Sequence, residues 1–517
     1  MADSGFYQLA AANPERVVVI DPDGTEHTAG ALLADAHRIT HGLRALGMGY
    51  DDVIAVMLPN SAEYLRVLLA VLQSGWHLVP INYHLTASEV AYIVSDSGAK
   101  AFLAHERFGD VAAAVAQQVD VPAEALLSVG AVEGFCDFRD FTAAQPADEP
   151  SDRRAGGLMN YTSGTTGLPK GVRRPLPDLD ADTQAEMFGF LNFLFGNDGP
   201  GHVHLAVAPL YHTAVMNFVQ AALHHGQQVV LMDKWTPEGT LERIDRYGVT
   251  STHMVPTMFH RLLKLPEAER ARYDVSSLSH VIHSAAPCPV PTKRTMLAWW
   301  GPVIYEYYGA TEGGGTLATP EDWESKPGTV GKPWPISEIK ILDDDGNELP
   351  PGLVGTVWMK MGDRRFEYHK DSEKTASTWN EQGFFTVGDA GELDEDGFLF
   401  LRDRKSDMII SGGVNIYPAE TEAVLLQHPD VLDAAVFGIP HDDWGEEVKA
   451  VVEPTDMSLA GAELEQRLIE HCGEHLARYK CPRSVDFVDD FPRSATGKLL
   501  KRKLRDPYWE GRESAIV

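Results

Sequence analysis

Thr162, Ser163, Thr165 and Thr166 place hydroxyls around Gly164 and Gly167, and Lys170 follows two residues after Leu168. No apolar period runs through this stretch, so it reads as a loop. Glycine lets backbone N–H groups approach an anion, hydroxyls add donors, and the lysine adds positive charge. That chemistry suits a triphosphate. The spacing is not G-x-x-x-x-G-K-[ST], so this is not the common P-loop. A solvated Ser/Gly loop is the plain alternative.

Four further clusters carry chemistry. In Tyr307–Gly315, the Glu312 carboxylate stands beside Thr311 and several glycines. Mg²⁺ is commonly held by one or two carboxylates plus substrate phosphates; a glycine-rich turn is the alternative. Asp389 can accept from two ribose hydroxyls, and Arg404, fifteen residues on, can donate to ribose or phosphate. In Ser411-Gly412-Gly413, two glycines would let a narrow ligand pass close to the backbone. Lys498 closes a polar turn, where a lysine is ordinarily a solvated surface residue, and five of the eight residues 498–505 are basic. His202 and His204 alternate as on a strand. Without a third ligand in evidence they read as structural rather than metal-binding.

These groups need a scaffold, and the pattern is α/β. Val17–Ile20, Val53–Met57, Leu78–Ile81 and Ala101–Ala104 read as strands between the helical spacings of Ala29–Leu46, Ala62–Gln73 and Ala87–Ser95. A second alternating stretch has strands at Val203–Ala208, Val229–Met232, Thr252–Val255 and Val281–Ser284. Val330–Leu401 turns β-rich, and a polar segment at Asp403–Asp407 precedes a new α/β pattern. We therefore expect a large N-terminal domain, 1–403, of α/β layers with a β-rich subdomain, and a small α+β domain, 404–517.

The bulk numbers narrow the classes. A chain of 517 residues exceeds one core. Its net charge of −31 argues against nucleic-acid binding and against adsorption to an anionic membrane. No apolar run reaches the ~18 residues that span a bilayer. Four scattered cysteines and a start without signal-peptide character point to a reducing, cytoplasmic setting. Homo-oligomerisation is left open.

Tyr161–Gly171 resembles, at every fixed position, the Y-T-S-G-T-T-G-x-P-K-G loop of the adenylate-forming superfamily: acyl-CoA synthetases, peptide-synthetase adenylation domains and luciferases. Tyr308–Glu312 matches its Y-G-x-T-E motif. Val387-Gly388-Asp389 matches T-G-D except that Val387 replaces Thr, and Pro492–Lys498 matches P-x-x-x-x-G-K. The motifs fall in family order over nearly the whole chain.

The resemblance implies an ATP- and Mg²⁺-dependent acyl-CoA synthetase. It would convert a carboxylic acid, fatty or otherwise large and hydrophobic, to acyl-AMP with release of pyrophosphate, and then to the CoA thioester. It implies ATP contacts at Thr162, Ser163, Gly164, Thr165, Thr166, Gly167 and Lys170, and at Ser284, Ala285 and Ala286. It adds Tyr308 on adenine, with Gly309 beside it, Thr311 at the α-phosphate, Glu312 on Mg²⁺, and Asp389 and Arg404 at the ribose. Catalytic roles fall to Lys498, Thr166, Glu312 and, lining the acyl site, His212. CoA would pass Ser411, Gly412 and Gly413, with Lys480 nearby, and a mobile lid would turn on a hinge near 404–407, at Ser406, where the family carries Asp or Lys. Gly313-Gly314-Gly315 either opens room for a wide acyl group or serves the backbone. Rival readings are loading of a separate carrier protein, a luciferase-like oxidase, and a non-catalytic nucleotide-binding protein.

Overall fold

The computed structural model describes residues 4–162, 169–363, 365–404, 407–411, 414–441, 444–493 and 499–510. Two sheets built around parallel strands dominate the first 330 residues. One is six-stranded and wholly parallel, with Val53–Met57 between His77–Pro80 and Ala101–His105. The other is nine-stranded. Its parallel centre runs Gln228–Leu231, Val203–Ala206, Ser251–Met254, His280–His283 and Ile304–Ala310, and the last of these turns back antiparallel into Gly313–Ala318.

Helix Ala62–Leu72 reads AEYLRVLLAVL, and nearly every side chain in it is buried. A helix apolar all round must be covered all round. Its Leu65, Leu68 and Leu69 join one cluster with Leu32 and Ile39, with Ile54 and Leu103 of the six-stranded sheet, and with Leu205 and Val230 of the nine-stranded sheet. Truncating one such leucine to alanine costs about 2–5 kcal/mol. The helix starts where Ser61 accepts from Tyr64 N. Helix Ala87–Ser97 has a full capping box between Thr86 and Glu89, and it ends at Gly98 with φ of 68°.

Three smaller sheets follow. A three-stranded one joins Asn160–Thr162, Lys170–Arg173 and Glu367–Tyr368. A four-stranded one joins Ser337–Leu342, Gly355–Met361, Asp389–Leu393 and Leu399–Arg404. The last sheet contains Ile409–Ser411 and the long hairpin Val431–His441/Gly445–Pro454. It packs on helices Pro418–Leu425 and Ala462–His475 around its own core of Ile409, Leu425, Val436, Leu464 and Leu468. Sheet membership thus changes between Arg404 and Ile409. Among the described residues, no helix is long and apolar enough to cross a membrane.

Candidate functional site

The groups expected to meet ATP collect where the parallel strands of the nine-stranded sheet end, the usual ligand crevice of open α/β sheets. His212 and Thr213 follow Val203–Ala206, Ser284–Ala286 follow His280–His283, and Thr311 and Glu312 form the turn after Ile304–Ala310. Ala285 has φ of 74°, an uncommon conformation for a residue with a Cβ, and it stands exposed beside the buried Ser284.

The three-stranded sheet brings Thr162 and Lys170, the described ends of the expected phosphate loop, towards this turn. Thr162 pairs with Lys170 across its hairpin, and Val172 pairs with Tyr368. Tyr368 Oη donates to Glu312 Oε1 at 2.9 Å. Burial next to that carboxylate pushes the phenol's pKa up, so it stays a donor. Among the described residues, Oε2 of Glu312 has no protein partner. A half-buried carboxylate with one oxygen left over fits a hard cation such as Mg²⁺. Arg174 donates to the Thr311 carbonyl, and the Thr311 and Thr213 hydroxyls lie 3.4 Å apart. Lys170 is paired with Asp371, whose carboxyl that ammonium holds below its usual range.

Tyr308 Oη donates to Asp389 Oδ2 at 2.7 Å, and Asp389 is the backbone partner of Arg404. Three segments distant in sequence therefore converge here. Gly309 is exposed at the lip. The glycines after Glu312 answer to the backbone. Gly313 and Gly314 have φ of 128° and 68°, and a Cβ on Gly315 would sit 2.7 Å from both the Trp334 ring and the Tyr308 carbonyl oxygen. Backbone geometry is sufficient to account for all three.

The opposite face of strand Ile304–Ala310 carries Tyr307. Its ring lies 5.9 Å from Phe218, 6.1 Å from Phe195, 5.9 Å from His253 and 6.3 Å from Trp334. His253 Nε2 and Ser284 Oγ are 2.8 Å apart. Burial drives His253 down to about 3. His212 is likewise lowered to about 3, by burial and then by His84, so its ring is neutral at pH 7. Its buried Nε2 has no hydrogen-bond partner. His204 bonds Ser251 Oγ at 3.0 Å, and His202, just before the strand, bonds Thr250 Oγ1 at 3.1 Å.

Behind the turn sits a buried charge group. Lys293 Nζ donates to Glu306 Oε2 at 2.7 Å, and His283 Nε2 lies 3.4 Å from the same oxygen. Burial raises the Glu306 pKa, but His283 and Lys293 outweigh it and hold it at about 2.

Ser411 borders a cavity of about 150 Å³ in the small domain, lined also by Trp444, Val448, Tyr479 and Arg483. The Arg483 guanidinium lies 4.9 Å from the Trp444 ring centre. Lys480 was the expected cation here, but it points elsewhere: its ammonium pairs with Glu420. The cation that lines this cavity is Arg483. Ser163, Gly164, Thr165, Thr166, Gly167, Ser406, Gly412, Gly413 and Lys498 lie outside the described residues, as does the Arg404 side chain.

Sequence reasoning missed Arg174, Thr213, Tyr368, Asp371, Trp444 and Arg483. Arg174 was findable as the second of two arginines just past the loop. Tyr368 and Asp371 carry no local signal, because only strand pairing brings them in.

The model for AMP-binding enzymes matches residues 6–363, and that for the AMP-binding enzyme C-terminal domain matches 420–498. A fatty acid–[acyl-carrier-protein] ligase, ScoC, of Streptomyces coeruleorubidus is 33% identical over 94% of this chain and 92% of its own. The long-chain-fatty-acid–CoA ligase FadD13 of Mycobacterium tuberculosis is 32% identical over 97% of each. The crystal structure of the anthranilate CoA ligase AuaEII with anthranoyl-AMP superposes with a TM-score of 0.86 at 26% identity, covering 98% of this chain and 97% of that one.

Proposed function

The chain belongs to the AMP-binding enzyme family of adenylate-forming ligases, and from that premise we propose that it joins a hydrophobic carboxylic acid to coenzyme A by way of an acyl adenylate. The coarser statement, an ATP-dependent acid–thiol ligase, follows from the family. The acid, the acceptor and the residue roles are our reading. What carries it is the set of contacts that ties Glu312 to Tyr368, Thr311 to Arg174 and Thr213, and Tyr308 to Asp389 around one strand end.

In this reading Tyr308 lies on the adenine, Asp389 takes the ribose hydroxyls, and Thr311 meets the α-phosphate. Glu312 would hold Mg²⁺, which would supply charge shielding to the phosphates. The loop 162–170 grips the β- and γ-phosphates, and Lys170 exchanges Asp371 for phosphate as it does so. The neutral His212 and the wall of Tyr307, Phe218 and Phe195 receive the acid. A carboxylate oxygen attacks the α-phosphorus and the bond to pyrophosphate breaks. Lys498, the loop and the turn stabilise the developing charge as preorganised donors. The CoA thiolate then attacks the acyl carbon and AMP leaves.

We place the domain boundary at 403/404 and the hinge at Ser406. Lid rotation would withdraw Lys498 and admit CoA beside Ser411, Gly412 and Gly413. The cavity between Trp444, Tyr479 and Arg483 supports CoA over a carrier protein. Aromatic faces and a guanidinium suit the nucleotide of CoA, which a carrier's pantetheine arm lacks. Four cysteines without a disulfide among the described residues support a reducing, cytoplasmic setting.

The test is AMP and pyrophosphate release over a panel of fatty and aryl acids, with and without CoA. Acyl-CoA formed with one acid class sustains the proposal. Pyrophosphate without thioester moves the acceptor to a carrier protein. Lys498→Ala is expected to abolish adenylation nearly completely while sparing thioester formation from supplied acyl adenylate; unimpaired adenylation removes Lys498 from its role.

A further inference from the structure

Helix Ala462–His475 of the small domain ends in His471-Cys472-Gly473-Glu474-His475. Residues 471 and 475 are one turn apart with 474 beside them, so the three share a side of the helix. One ligand atom from each lies within 4.8 Å of the other two. Glu474 and His475 are exposed, and His471 is half-buried.

The hydrogen bonds fix which ring nitrogen each histidine can offer. A carbonyl only accepts, so a ring nitrogen bonded to one must carry the proton. His471 Nε2 donates to Val424 O at 3.1 Å, which leaves the Nδ1 lone pair free. His475 Nδ1 donates to His471 O at 2.8 Å, which leaves Nε2 free. Metal-binding histidines show this arrangement, the second N–H anchored on a carbonyl so that tautomer and ring orientation are set beforehand. The position adds a second favourable factor. These residues occupy the last turn of the helix, where unsatisfied carbonyls and the negative end of the macrodipole attract cations.

We propose that His471, Glu474 and His475 form a binding site for a divalent transition-metal ion of the zinc and cobalt type, with water completing its shell, distinct from the oxygen-only cation position at Glu312. Two imidazoles and one carboxylate select such ions over Mg²⁺. A tetrahedral ion with bonds of about 2.1 Å holds its ligand atoms about 3.4 Å apart, so the exposed Glu474 and His475 close on the anchored His471. His428, its ring centre 5.3 Å from that of His471, stays outside the set, because its Nδ1 accepts from Asp430 N at 3.2 Å and its proton therefore sits on Nε2. The His471–Val424 bond ties this helix to Pro418–Leu425, so a bound ion reinforces the packing inside the small domain.

The experiment is a Co²⁺ titration of the full-length, tag-free protein without nucleotide, followed by calorimetry and visible absorption. The expected result is one Co²⁺ per chain with the intense visible bands of a four-coordinate nitrogen-bearing site, displaced by Zn²⁺ and not by Mg²⁺. His475→Gln should weaken this binding by about tenfold or more, and Glu474→Gln should weaken it less. Glu312→Gln should leave it unchanged, which separates this site from the proposed ATP chemistry. Absence of the bands, or an unchanged affinity in His475→Gln, overturns the proposal.

Discussion

Glu306 and Glu312 lie six residues apart, one on a strand and the other in the turn that follows it, yet the protein treats them oppositely. Glu306 is 5% exposed and is neutralised from within, by Lys293 at 2.7 Å, with the His283 ring 3.4 Å away. Glu312 receives one neutral phenol, and its other oxygen has no protein partner among the described residues. The buried carboxylate has its countercharge supplied by the fold and so holds strand Ile304–Ala310 against its neighbours. The turn carboxylate has no cationic partner among the described residues, which suits it to a bound cation. One hairpin thus separates a carboxylate paired inside the fold from one without a cationic partner among the described residues.

The comparison breaks most severely at Lys293. Lys293→Met takes the ammonium from buried Glu306 and leaves only the His283 ring beside it, and removing one partner of a buried pair costs about 3–5 kcal/mol. A large fall in melting temperature is expected, partly restored in Lys293→Met/Glu306→Leu. Equal melting of the single and double variants would show that Glu306 imposes no cost of its own.

Acid probes the same interior. Burial holds His204 at about 4 and His224 and His253 at about 3, well below the usual value for histidine. The unfolded chain then binds more protons below about pH 6.5, so stability is full above that pH and falls as pH drops toward 3–4. Between pH 6.5 and 5.5 the three histidines together should remove about 3 kcal/mol. Glu306, with its depressed pKa, adds its own loss only as pH falls from about 4.5 toward 2. A melting temperature flat from pH 7 to 5.5 would mean these rings protonate without unfolding.

At the turn the expectation reverses. Glu312→Gln should lower adenylation about 10²–10³-fold, the scale of losing one preorganised electrostatic group, with little change in melting temperature. A variant that melts early and keeps its rate would exchange the roles of the two glutamates.

How much of this was legible beforehand depended on range. Strands Val17–Ile20 and Val53–Met57 and the starts of three helices were read to the residue, because apolar spacing and Ser/Thr caps are local. Leu78–Ile81 came out one residue early, as His77–Pro80, and Thr252–Val255 became Ser251–Met254. The added residues are polar, and pairing with neighbouring strands extends the ladder to them: His77 pairs with Val53, and Ser251 with His204 and His280. Helix Ser372–Thr378 inside the β-rich stretch was not anticipated. Tyr308, Thr311, Glu312 and Asp389 were singled out from motifs, but their mutual contacts were not. The glycines after Glu312 fit either room for a substrate or a backbone requirement by sequence alone; the backbone angles and Trp334 favour the second.

Tyr368 supplies the smallest and most discriminating change. It reaches Glu312 only because Val172 pairs with it in the three-stranded sheet. Tyr368→Phe keeps the ring in its contacts with Phe366 and deletes one donor. Such a bond contributes about 1 kcal/mol, or about fivefold in rate. If the phenol merely holds Glu312 in orientation for the cation, the fivefold loss should appear as a raised Mg²⁺ requirement and vanish at saturating Mg²⁺. If it instead competes with the cation for the carboxylate, Tyr368→Phe should bind Mg²⁺·ATP more tightly. The Mg²⁺ dependence of pyrophosphate release separates the two, and only the first agrees with a turn carboxylate kept ready for a metal.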